Sequence, residues 1–128
     1  MQERFTRSFE AAPVHHVTHL EGIALVGPVE VRERARSETM LVLEVHMPAG
    51  TRSNEHRHHV DSAGYVVFGR VRAWVDGEES ILAAGDVFVH PRNALHWVEA
   101  LEDSHWIEIK SPPQRPFADD VSPTSNLT

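Results

Sequence analysis

The chain contains no cysteine among its 128 residues. That excludes disulfides, thiolate metal sites and a cysteine nucleophile. Positive charge is also scarce. Twelve lysines and arginines face nineteen aspartates and glutamates, for a formal net charge of -7. Nonspecific nucleic-acid binding needs a basic surface to displace counterions, and no basic cluster or basic amphipathic stretch supplies one. No apolar run approaches the ~18 residues of a membrane-spanning helix. The opening MQERFTRSFEAAP carries charges but no apolar core, so it does not read as a secretory signal. A cytoplasmic protein without nucleic-acid or membrane partners is the expectation. A sustained helical period is missing as well.

What is present is a succession of short apolar runs broken by turn residues. Ile23–Val26 stops at Gly27-Pro28, Met40–Val45 stops at Pro48-Ala49-Gly50, and Gly64–Phe68 stops at Gly69. Val71–Val75 leads to Asp76-Gly77, a strong hairpin signal. Ile81-Leu82, Val87–Val89, Leu95–Ala100 and His105–Lys110 complete the series. Short strands at regular spacing predict an all-β sandwich or barrel. The spacing suggests an arm or edge strand over residues 1–20, a barrel over 21–117 and a disordered polar tail over 118–128.

Ten histidines are many for this length, and imidazole is the commonest protein metal ligand. His56 and His58 are two apart, which on a strand turns both rings to one face and Arg57 to the other. His96, just after a turn, supplies a third imidazole from a later strand. His59 alternates away from that face, and His90, before Pro91, reads as a wall or packing residue. His15, His16 and His19 read as part of a solvated or packed terminal segment, and His46 and His105 as structural. On the last strand Trp106, Glu108 and Lys110 share one face, Ile107 and Ile109 the other. Either the polar face is solvated over an isoleucine core, or it lines a cavity.

The segments Gly50…His56-x-His58…Gly69 and Gly85…Pro91…His96, separated by Arg70–Ala84, resemble the two motifs of the cupin superfamily. The resemblance implies a double-stranded β-helix, the jelly-roll barrel, with His56, His58 and His96 holding one divalent metal ion in its lumen. Fe, Mn, Ni, Zn and Cu are the candidate ions, since imidazole suits several of these. The family places Glu or Gln where this chain has Ser62, a poor ligand, so open positions for water or substrate are expected. Over residues 37–117 the chain is similar to the small cupins of pectin and alginate breakdown, which linearise unsaturated uronates. That similarity implies a homodimer, and an acidic residue and an arginine at the site, here Glu108 and Arg115. Lys110 stands where that family has an aromatic residue. Trp106, Lys110 and Ser62 are the expected substrate contacts.

Three functions follow. The first is a metal-dependent enzyme that isomerises, cyclises, hydrates or cleaves a small oxygenated compound, with Glu108 moving the proton and Arg115 and Lys110 holding a carboxylate. The second is a three-histidine Fe(II) dioxygenase. The third is a small-molecule binding protein without catalysis.

Overall fold

The strands come in nine pieces, and a computed structural model describes them over residues 5–8 and 12–117. They are β1 (Val14–Leu20), β2 (Ile23–Arg36), β3 (Leu41–Met47), β4 (Asp61–Phe68), β5 (Arg70–Val75), β6 (Glu78–Ala83), β7 (Val87–His90), β8 (His96–Ala100) and β9 (Ser104–Ser111). Six form one sheet in the order β1-β2-β3-β9-β4-β7, and three form a second in the order β6-β5-β8. All pairings are antiparallel, and the described residues contain no helix. This is the jelly-roll barrel expected. The expected tail over 118–128 lies outside the described residues.

Alternation decides which side chains go inside. On β3, Leu41, Leu43, Val45 and Met47 are buried, while Val42, Glu44 and His46 stand on the outer face. Val17, Val29, Val31, Val66, Val71, Ala100, Trp106 and Phe117 complete one contiguous core. Each such aliphatic side chain contributes about 1.5–3 kcal/mol by leaving water.

The longest strand departs from the sequence reading. Gly27-Pro28 does not end the run begun at Ile23; β2 continues to Arg36. Pro28 lies in a gap between two paired stretches, where the β1 register shifts between Val17 and His19. A residue without an N–H is tolerated at such an irregularity. Gly27 has φ +95, and a Cβ there would stand 2.6 Å from Thr51 Oγ1. The turn at Asp76-Gly77 is as expected, with φ +47 and +89, the left-handed pair that a two-residue hairpin requires. β1 occupies one edge of the large sheet by pairing with β2 of its own chain.

Registers across the large sheet line up three inward rows. Val45, Trp106 and Val66 form one row. Leu43, Glu108, Gly64 and Phe88 form the next. Leu41, Lys110, Ser62 and His90 form the third. Polarity therefore rises along the barrel axis, from an apolar floor to a polar end.

Candidate metal centre

His56 and His58 do not lie on a strand, as the spacing suggests. They sit in the connection between β3 and β4, held by a single β-bridge. His56 N donates to His96 O and His96 N donates back to His56 O, each at 3.0 Å. This two-way bond carries the third histidine, the first residue of β8, to the other two. Ring centroids are 4.2 Å apart for His56 and His96, and 4.7 Å for the two pairs involving His58. One nitrogen from each ring can be chosen so that all lie within 4.8 Å of one another.

The tautomers follow from the neighbours. His56 Nδ1 donates to Asn54 O at 2.7 Å, and His96 Nδ1 donates to Ala94 O at 3.0 Å. A carbonyl can only accept, so both rings carry their proton on Nδ1 and leave Nε2 as a lone pair. His58 Nδ1 lies 2.8 Å from Glu21 Oε2, the carboxylate–histidine arrangement that orients metal ligands. Burial favours the neutral rings. It pushes His58 down to about 3 and His96 to about 2, and holds His56 below its ordinary value. Three neutral imidazoles with their Nε2 atoms unclaimed fit a divalent ion with open coordination positions. Among the described residues no other group of histidine, aspartate or glutamate offers such a cluster.

Glu21 is the part of the site that sequence reasoning missed. It occupies the β1–β2 turn at φ +51, with its backbone N donating to Pro116 O at 2.8 Å. Burial raises its carboxyl above the ordinary value. Nothing in the local sequence ties it to a histidine 37 residues away.

The histidines stand at one end of a cavity. Val29, Val31, Leu43, Val45, Met47 and Val98 give most of its wall, and Phe88, His90, Trp106 and Glu108 the rest of its polar end. The buried reading of the last strand is therefore correct: Trp106, Glu108 and Lys110 point inward and Ile109 is exposed. Glu108 Oε1 accepts from Trp106 Nε1 at 3.0 Å, and Oε2 pairs with Lys110 Nζ at 2.7 Å. Burial, the largest single influence, would raise the Glu108 carboxyl, but the Lys110 charge and hydrogen bond together with the nearby His90 and His58 hold the group well below the carboxylate range.

Lys110 and Ser62 differ from expectation. Lys110 Nζ also donates to Ser62 Oγ at 2.8 Å, both residues are buried, and neither lines the cavity. They stand behind Glu108 as its support. The two positions that depart from the family pattern are thus bonded to each other. Arg115 does not line this cavity. Its Nε and Nη2 donate to Glu33 Oε2 at 3.0 and 2.9 Å, and its guanidinium lies over the Phe117 ring. It lines a separate depression with Arg36, Gln114 and Glu21. Burial would raise the Glu33 carboxyl, yet the hydrogen bonds from Arg36 and Arg115 lower it. His59 is exposed and meets Asn93 Oδ1. His15 is buried against Phe117, and His105 pairs with Glu44.

Known proteins share this frame. The family model described as a cupin domain matches residues 43–109. The pectin degradation protein KdgF of Dickeya dadantii (strain 3937) is 31% identical over 83 residues, 63% of this chain and 76% of that protein. The solved structure of KdgF from Halomonas sp. has a TM-score of 0.65 at 32% identity, covering 67% of this chain and 80% of that one. An RmlC-like cupin from Shewanella frigidimarina NCIMB 400 has a TM-score of 0.75 at 20% identity, over 88% and 95% of the two chains, and shows the fold. With its motif histidines brought together in a jelly-roll lumen, the chain belongs to the cupin domain family, as a small cupin resembling KdgF.

Proposed function

We propose that this cupin is a metal-dependent enzyme acting on a small oxygenated compound that bears a carbonyl or carboxylate. The observation that carries this reading is an ionised carboxylate, Glu108, sharing a largely apolar cavity with three neutral imidazoles whose Nδ1 atoms are already committed. A divalent ion held by His56, His58 and His96 would supply Lewis acidity to a substrate carbonyl or hydroxyl. Glu21 fixes the ring of His58. Trp106 and Lys110 fix the carboxylate of Glu108 at the cavity wall. Paired with Lys110, Glu108 is ionised and so is placed to accept a proton from a donor that a bound ion would acidify. The apolar walls keep bulk water from competing for that proton.

Isomerisation, cyclisation, hydration and elimination all need one such proton transfer beside a polarised oxygen. An unsaturated uronate is the first compound to test, since one relative is named for pectin degradation. The expected result is turnover by metal-loaded protein without O₂. Glu108→Gln should keep the metal and lose about 10²-fold or more in rate. Full activity in Glu108→Gln would remove Glu108 from the chemistry.

One observation favours a second reading. Ser62 Oγ accepts from Lys110 and Ser62 does not line the cavity, so no acidic side chain completes the donor set at that position. A three-histidine Fe(II) dioxygenase has this character. O₂ consumption that requires Fe(II) would select it, and anaerobic turnover with Zn(II) or Ni(II) would exclude it.

A further inference from the structure

His90 is buried, at 6% exposure, and lines the cavity beside Glu108 and Trp106. Its ring stacks on that of His96, centroids 3.7 Å apart at 25°, and meets Phe88 at 4.8 Å. Its Nδ1 has no hydrogen-bond partner. The other polar groups at this end of the cavity each have at least one protein partner. His56, His58 and His96 each have Nδ1 bonded. Each oxygen of Glu108 already accepts one hydrogen bond, Oε1 from Trp106 and Oε2 from Lys110. Ser53 Oγ accepts from Val98 N.

An unpaired buried polar atom costs about 1–3 kcal/mol, and an aliphatic side chain would fill the same stretch of wall without that cost. A neutral imidazole always carries one donor and one acceptor nitrogen. An unmet hydrogen-bonding valence on a ring that lines the cavity is therefore a place where a ligand oxygen can be read. We propose that His90 is a substrate-contacting, specificity-determining residue: an imidazole nitrogen hydrogen-bonds a hydroxyl oxygen of the bound compound, so that the cavity selects hydroxylated carboxylic acids over unhydroxylated ones of the same size. This rests on the reading of the cavity as the substrate site. Sites that hydrogen-bond a substrate hydroxyl discriminate strongly against the analogue without it, because the protein's own polar group is then left unpaired.

The test compares D-galacturonate with cyclohexanecarboxylate, a six-membered ring with a carboxylate and no hydroxyls. Both are titrated calorimetrically into Zn(II)-loaded full-length protein, with zinc content and melting temperature measured on every sample. Wild type should prefer galacturonate by about tenfold or more. His90→Leu should keep its zinc and lose most of that preference. His90→Asn, whose amide stands near the position of Nδ1, should recover part of it. A His90→Leu protein that keeps the preference would overturn the proposal, as would a wild type with no preference. Loss of zinc in both variants would overturn it too, making His90 a support of His96 instead. If wild type takes up no zinc, the reading of the centre falls. The galacturonate preference, and its fate in the two variants, then still decides the role of His90.

Discussion

At the scale of single residues, the site depends on groups that hold other groups in place. Glu21 acts on His58 through one 2.8 Å contact. Removing such an outer partner typically costs 10–100-fold in metal affinity. Glu21→Gln is expected to weaken Zn(II) binding within that range, measured by competition with a chromophoric chelator, while the fold persists. Unchanged affinity would deny Glu21 its orienting role. Lys110 is a stronger case, because it is fully buried with Glu108. A buried pair contributes little net stability, but breaking one leaves an uncompensated charge, at about 3–5 kcal/mol. Lys110→Met should therefore destabilise by about that much in denaturant unfolding, and Ser62→Ala by only about 1 kcal/mol. Equal effects would show that the lysine charge is not what matters. The three ligand histidines were legible from spacing and the flanking glycines and proline. The departures at Ser62 and Lys110 were legible too, but their contact with each other was not, since it crosses two strands 48 residues apart.

At the scale of elements, close approach explains what periodicity cannot. Gly64 lies on β4 directly opposite Phe88 of β7 and Glu108 of β9. A Cβ at Gly64 would stand 2.0 Å from the Phe88 ring. The missing side chain thus lets Phe88 lie across the cavity wall. Gly64→Ala is expected to displace that ring and lower the melting temperature, by an amount in the range of overpacked cores, about 1–3 kcal/mol. A neutral effect would mean the ring moves freely. In sequence β3 reads as a continuous buried run, and the structure shows instead one buried and one outer face. Alternation identified β5 and β9 correctly. It stopped short in β2, where Gly27-Pro28 reads as a terminator although Val29 and Val31 resume the buried period. Local signals cannot distinguish a strand's end from an irregularity that a partner strand bridges. The same limit applied to His56 and His58, which converge through a loop pinned to His96 and not through a strand. Arg115 was misplaced for a related reason. Family spacing positions it beyond Ser111-Pro112, but Glu33 on β2 holds it in a separate depression beside Glu21.

For the molecule as a whole, the buried histidines set the pH dependence. His58 and His90 are pushed by burial to about 3 and about 4, from an ordinary value near 6.5. Below pH 6.5 the unfolded chain takes up protons that the folded chain refuses, so stability falls as pH falls. The loss begins near pH 6.5 and continues for His90 to about pH 4. Glu33 and Glu108 are lowered from 4.5 and add to the loss only below that value. Metal-free protein should therefore melt at a constant temperature above pH 7 and progressively lower between pH 6.5 and 4.5. His90→Leu should flatten that slope, and a slope unchanged in the variant would contradict the assignment. A bound ion favours the folded state by mass action, and its ligands must be unprotonated. Metal should thus raise the melting temperature most at neutral pH.

The claim on which the account turns is that His56, His58 and His96 form a metal centre. Elemental analysis of untagged protein beside its His96→Ala variant tests it most directly. The expected result is one divalent metal ion per chain, lost in the variant. A wild type that takes up no metal after reconstitution, or a variant that keeps it, would contradict the account.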